Sequence, residues 1–325
     1  MLFRSPSCST GEAVCLADRT DTVVSPRAAA LYHVTDMVSV WGDYGLGFRA
    51  PTLNELYRQF SVGAVVTRAN ADLGPEHLKG GEFGVNLQPT SHLTVRGTWF
   101  DNRVKDPVAN VTIATNTQQR QNLGRTRISG LQLDGEYRVG TDWRFNAAYL
   151  YEQAKVVEAN IAFAGALPAG TNLGTNCPGP NLTNPTAATG GNGTGQACYL
   201  AQVPKNRVSF RAAYSNAKYA TVALNVTMIG QQFDDDQNFR VIPVQALSDA
   251  GYPTWTAPLT DTTFGGLPKY TVVDVFASRA IGRNLEVFFG VENLADRQYF
   301  VGTAPTLLGP PRLITGGVRV KWMGK

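Results

Sequence analysis

The sequence predicts an antiparallel transmembrane β-barrel of about eleven strands. Eleven stretches alternate apolar and polar residues, and the connections between them alternate between very short and very long. Period two marks a strand with a different environment on each face. Dyad strands with short turns on one side and long loops on the other are the pattern of outer-membrane barrels. No run of 18 apolar residues occurs, so no helical span is expected. A barrel escapes that test because only alternate residues meet lipid.

Strands are expected at 27–33, 37–48, 79–88, 92–104, 122–138, 143–153, 205–214, 219–230, 269–279, 284–293 and 312–322. The clearest starts at Trp143, with Trp143, Phe145, Ala147, Tyr149 and Tyr151 on one face and Arg144, Asn146 and Glu152 on the other. Tight turns rich in Gly, Asn, Asp and Pro are expected at 34–36, 89–91, 140–142, 215–218 and 280–283. Long loops fill 49–78, 105–121, 154–204, 231–268 and 294–311. In a compact soluble domain a loop near fifty residues argues against the strand assignment, whereas on a barrel rim it is ordinary.

Parity separates the faces. Val222, Leu224, Val226 and Met228 share one, as do Leu285, Val287, Phe289 and Val291, and Ile314, Val318, Val320 and Trp322. Glu82, Arg96, Asp134, Glu136, Arg144, Arg207, Arg211, Asp274, Glu286, Glu292, Arg319 and Lys321 take the opposite parity. Both signs mixed on one face fit a water-filled interior. Trp41, Tyr44, Trp99, Tyr137, Trp143, Tyr214, Tyr219 and Trp322 near strand ends are read as interface anchors. A charge on the lipid face near the midplane costs about 2–4 kcal/mol, and none is expected well inside a strand. Eleven up-and-down strands leave the first and last parallel, and an unclosed sheet in lipid strands backbone polar groups. The expectation is therefore an incomplete barrel, half of a larger one.

Composition excludes little. Hydrophobic residues make up 43%, aromatics 10%, and glycine occurs 33 times, as also in soluble β-sandwiches. The net charge of +4 is dispersed, which gives no footprint for nucleic acid. Residues 1–24 are left unassigned, and 25–325 are assigned to the barrel. Met1 to Cys8 carry one charge and no apolar core, so no signal peptide is read there. Cys177 and Cys198 flank a Gly/Asn/Thr/Pro-rich loop. A disulfide closing it would remove about 3 kcal/mol of chain entropy in an oxidising compartment; two unpaired thiols are the alternative. Cys8 and Cys15 have no assigned pairing, and no metal-binding spacing is present.

Motifs then point to a family. Gly47-Phe48-Arg49-Ala50-Pro51-Thr52-Leu53-Asn54-Glu55-Leu56-Tyr57 resembles TonB-dependent outer-membrane receptors. Asn70-Ala71-Asp72-Leu73-Gly74-Pro75-Glu76 is similar to the family's Asn-Pro-x-Leu-x-Pro-Glu, with Ala71 for the usual Pro. The strand containing Gly130 is similar to its Gly-x-Glu strand, with Gln132 for Glu. Val203-Pro204-Lys205-Asn206-Arg207, the Asn293-Leu294 segment and Gly309-Pro310-Pro311-Arg312 complete the series. The resemblance runs from about Ser25 to Trp322. It implies a 22-stranded barrel whose last eleven strands are these. It also implies a Gram-negative outer membrane, uptake of an iron chelate, cobalamin or another scarce nutrient, and contact with TonB only through a plug. The plug and the first half of the barrel are expected to lie outside this chain, which reads as a fragment.

No cofactor and no catalytic set is expected. Gly45-Leu46-Gly47 lacks the helix and third glycine of a dinucleotide loop. Ser215-Asn216-Ala217-Lys218 matches a nucleophile pattern but sits in a turn without partner motifs. Asp234-Asp235-Asp236 reads either as a cation ligand set or as a solvated loop tip. Phe233, Phe239, Tyr252, Trp255 and Phe264 are candidates to face an extracellular ligand or to pack the loops together. Two other readings stay open: a barrel hydrolase using His33 and His77, and a porin closing through a twelfth strand at 14–24.

Overall fold

The computed structural model describes residues 2–3, 19–20, 22–114, 116–158, 198–200, 202–232, 267–303 and 306–320. Eleven strands follow one another in a continuous antiparallel sheet: β1 Arg27–His33, β2 Val38–Arg49, β3 Glu76–Thr90, β4 Leu93–Lys105, β5 Arg125–Val139, β6 Trp143–Glu158, β7 Asn206–Asn216, β8 Ala220–Ile229, β9 Tyr270–Ile281, β10 Leu285–Glu292 and β11 Leu313–Val320. Each matches an expected strand. The largest departure is β6, which continues to Glu158 because Lys155 and Val156 gain partners in a two-residue strand, Cys198–Tyr199. Among the described residues β1 and β11 each pair on one side only. Being first and last of an odd series, they run the same way. Residues Arg19–Thr20 pair with Leu2–Phe3 and add no twelfth strand to this wall.

Register carries the two faces across the sheet. Val222 lies opposite Ala277, Ala277 opposite Phe289 and Phe289 opposite Gly316, so the apolar rows of β8 to β11 share one side. That side stays uncovered: Phe83, Trp99, Phe289 and Ile314 are at least half exposed. Apolar surface on this scale marks an interface, here with hydrocarbon. The opposite side curls around a hollow of about 850 Å³ that touches strands from β4 to β9.

The outer face carries two aromatic girdles. One row runs Phe83–Trp99–Leu131–Tyr151 in direct cross-strand register. The other runs Val139–Trp143–Tyr214, with the Trp143 and Tyr214 rings 4.9 Å apart. Between them β5 advances eight residues, roughly 26 Å along the strand and about 20 Å once tilted. The apolar band of a membrane barrel is of that height.

Three expectations are corrected. Trp41 is no interface anchor: it has the parity of Asp43, lies over Gly84 and lines a hollow on the inner side with Asp43, Asn86 and Arg96. Charge does not wholly avoid the outer face, since Lys79, Asp101, Arg103, Arg127 and Lys155 share the parity of Trp99 and Leu131 near the long-loop end. Three long connections are also not irregular. Residues 50–75 hold the helix α1 (Leu53–Tyr57) and strands Phe60–Val62 and Val65–Arg68. With Val108–Ala114 and Thr117–Asn122 these strands make a separate four-stranded cap. One of its contacts is parallel, Thr117–Gln119 against Val66–Arg68. A hairpin of Phe300–Thr303 with Thr306–Leu308 occupies the connection after β10.

Candidate functional site

The long-connection rim is built around Arg49, the last residue of β2. Its Nε and Nη2 donate to Glu76 at 2.8 and 2.5 Å, and its Nη1 donates to both oxygens of Glu55 at 3.1 and 3.0 Å. Glu76 faces Arg49 across the β2–β3 ladder and also accepts the backbone N–H of Val108 at 2.7 Å. Bidentate guanidinium–carboxylate pairs fix orientation as well as energy. Arg49 therefore joins the wall to the helix, and Glu76 ties in the second long connection.

Helix α1 is too short to persist alone. Thr52 and Glu55 hold it as a capping box: Glu55 N–H donates to Thr52 Oγ1 at 3.3 Å, and Thr52 N–H donates to Glu55 at 2.7 Å. Burial pushes the Glu55 carboxyl up. The Thr52 N–H and the Arg49 guanidinium outweigh it and hold the group below its ordinary range. Pro51 and Leu56 are buried at this junction, Leu73 is fully buried nearby, and the rings of Phe48 and His77 lie 5.9 Å apart.

Asn122 binds the Asn70–Glu76 motif from across the rim. Its Oδ1 accepts Gly74 N–H at 2.7 Å, and its Nδ2 donates to Gly74 and Asp106 carbonyls at 3.1 and 2.6 Å. Arg120 donates to the carbonyls of Asn54 and Arg58. Phe48, Arg49, Ala50, Pro51, Glu55, Leu56, Tyr57, Pro75 and Glu76 are thus drawn into one neighbourhood. The remaining motif positions lie elsewhere. Gly130 is in the wall, where a Cβ would sit 2.0 Å from the Tyr151 carbonyl and 2.8 Å from the Phe100 ring. Asn293 and Leu294 follow β10 on the other flank. Asn293 is buried in a left-handed conformation, accepts Arg297 N–H at 2.8 Å and donates to Arg297 and Pro310 carbonyls. Asp296 accepts Arg312 N–H at 3.0 Å, and this bond with the Arg312 charge pushes its carboxyl down.

The inner face presents both signs of charge. Arg96 donates to Asn86 at 2.9 Å, Glu136 accepts from Arg138 at 2.6 Å and from Asn146 at 3.2 Å, and Arg211 and Asp274 line the same hollow. Asp274 also accepts Asn293 N–H at 2.9 Å, coupling the interior to the rim. Such a surface suits a hydrated cargo or polar protein segment. No cluster of three or more His, Cys, Asp or Glu able to hold a metal occurs among the described residues.

Phe233, Phe239, Tyr252, Trp255, Phe264, Asp234 to Asp236 and Cys177 lie outside the described residues. Asn122 and Arg120 were missed as rim organisers, because no local pattern ties them to Gly74 or Asn54. The Thr52-x-x-Glu55 spacing was readable as a capping box, and it signals the helix.

An open antiparallel wall with an apolar outside, a mixed-charge inside and elaborated loops at one end defines a segment of an outer-membrane-type β-barrel. A family described as TonB dependent receptor-like, beta-barrel matches residues 11–294. The chain belongs to the TonB-dependent receptors. It is 28% identical over 142 residues to the heme/hemopexin utilization protein C of Haemophilus influenzae (strain 86-028NP), an alignment covering 36% of this chain and 20% of that protein. The copper transporter OprC superposes with a TM-score of 0.62 at 16% identity, over 94% of this chain and 40% of that one. The siderophore receptor PiuA from Acinetobacter baumannii gives 0.61 at 16% identity, over 91% and 35%. The ferric enterobactin receptor PfeA from Pseudomonas aeruginosa gives 0.58 at 16% identity, over 91% and 40%. These structures share the fold. The chain spans a fifth of the curated relative's length and well under half of each of these structures.

Proposed function

We propose that this chain is part of the wall and apical rim of an outer-membrane importer that takes up an iron chelate, heme or a similarly scarce nutrient with energy from TonB. The observation that carries the reading is the open wall with its polar hollow. The mixed-charge inner face favours a hydrated pathway, and the rim braced by Arg49, Asn122 and Asn293 supports loops in which a ligand would be captured. The substrate class is suggested by relatives named for heme utilization and siderophore reception. Parity adds that antiparallel closure takes an odd number of further strands, since β1 and β11 run the same way. In this role the wall is passive, and the moving part is a plug pulled by TonB.

The test is uptake by cells carrying the intact locus. Deleting the region encoding β1 to β11 should abolish protonophore-sensitive uptake of at least one among labelled ferric siderophores, hemin and cobalamin. Unchanged uptake of all three in the deletion strain sinks the nutrient assignment. Single-channel conductance from the purified chain would favour a self-closing pore instead.

A further inference from the structure

We infer that the outer surface of β3 to β6, at the long-connection end, binds a phosphorylated lipid headgroup of the surrounding leaflet. The register there is unusual. Lys79 lies opposite Arg103, Arg103 opposite Arg127, and Arg127 opposite Lys155, a row of four cations on four adjacent strands. Neighbouring strands are about 4.8 Å apart, so the row spans roughly 14 Å. Like charges directly opposite one another destabilise a sheet. One carboxylate relieves part of this repulsion: Asp101, two positions toward the membrane, accepts from Arg127 at 2.9 and 2.7 Å and from Arg103 at 3.3 Å. The two ends of the row have no such partner. Lys79 and Lys155 make no ion pair among the described residues, and Lys155 instead lies 5.4 Å from the Tyr199 ring centroid. Lys105, two positions farther out on β4, is already matched by Asp106 at 3.9 Å and so leaves the row's ends unrelieved.

Position and facing identify the missing anion. These side chains have the parity of Trp99 and Leu131, not that of Arg96, Asp134, Glu136, Arg211 and Asp274, the charged residues lining the hollow. They therefore face away from the barrel interior and any cargo in it. The row stands four residues beyond the Trp99 girdle, about 13 Å along the strand and roughly 10 Å along the membrane normal at the usual tilt. That depth is the headgroup layer, where lysine and arginine stems lie on apolar surface and their charges meet lipid phosphates. A phosphomonoester brings close to two negative charges and three acceptor oxygens, which suits adjacent guanidinium and ammonium groups. The inference rests on the wall spanning a membrane and is independent of what is transported.

The experiment uses the full chain in neutral detergent. Native mass spectrometry compares binding of dioleoyl phosphatidic acid with that of dioleoyl phosphatidylcholine. The wild-type chain should prefer the phosphatidic acid. Lys79→Gln with Lys155→Gln should cut that preference by roughly tenfold to thirtyfold, because each basic group near a headgroup surface contributes a few-fold. Lys79→Arg with Lys155→Arg should keep it. Lys218→Gln with Arg283→Gln, on the opposite rim, should leave it unchanged. Heat-modifiable migration on gels confirms that each variant is folded. Four results overturn the inference: no preference in the wild type, an undiminished preference in the glutamine pair, an equal loss in the opposite-rim control, or full displacement by equimolar inorganic phosphate.

Discussion

The wall and the long-connection rim are stabilised differently. In the wall nearly every hydrogen bond runs backbone to backbone between sequence-adjacent strands, and the side chains only choose which face meets which medium. In the rim, side chains bond backbone groups far away in sequence. Asn122 holds Gly74 across 48 residues, Asn70 donates to the Arg120 carbonyl across 50, and Arg120 reaches Asn54 across 66. The wall thus spreads its stability over a ladder, whereas the rim concentrates it in a few polar junctions. Loss of one ladder contact is shared, while loss of one junction frees a whole loop.

Substitutions can break this contrast, and the largest effect belongs to the wall. Gly130→Val places a side chain against the Tyr151 carbonyl and the Phe100 ring, both rigidly held. It should cost about 3 kcal/mol or more and lower the yield of heat-modifiable protein, because overpacking in a ladder has no room to relax. Normal folding of this variant would show the wall to be more pliable than its register implies.

Next comes Asn293→Ala. It leaves the Arg297 N–H and two carbonyls without partners at a buried site, a loss of about 2 kcal/mol. Cleavage of the connection between β10 and β11 by trypsin should rise while wall melting barely moves. Arg49→Met should follow at about 1–2 kcal/mol, since the guanidinium is part-exposed and water screens some of its attraction to Glu55 and Glu76. Hydrogen exchange should accelerate in residues 50–75 and stay unchanged in β7 to β11. Equal acceleration in both would mean that wall and rim unfold as one unit.

Acidity separates the two regions more gently. Glu55 and Asp296 have carboxyls held below their unfolded values, so their contribution is present above the unfolded pKa and is lost as pH falls through the folded one. Proteolytic protection of both connections should be full at neutral pH and decline only below the ordinary carboxylate range, before the wall melts. Protection that weakened on raising the pH would contradict the sign. The smallest effect is expected for Arg319→Gln near the β11 edge. Its pair with Glu286, at 2.9 Å, is exposed, so the change in melting should correspond to about 0–1 kcal/mol.

Family motifs that look alike in sequence do different work here. Phe48 to Tyr57 and Pro75–Glu76 converge on the Arg49 junction, Gly130 relieves a clash inside the sheet, and Asn293 folds a separate loop. The resemblance marked all of them, yet gave no sign that only the first group shares one neighbourhood.

By itself the sequence determined the wall: eleven strands, their order, the tight turns at one end and the sidedness of Val222 or Arg211. Each of these is local, because a strand's facing follows from alternation and its neighbour from a turn of a few residues. Tertiary structure decided the rest. Thr117 to Asn122 is polar throughout and has no period, so only its pairing with Val66–Arg68 and Val108–Ala114 makes it a strand. Trp41 faces inward with Asp43, and only the pairing that sets Gly84 opposite gives its ring room there. The cation row from Lys79 to Lys155 exists only once register sets four separate strands side by side, a relation no single stretch of chain encodes.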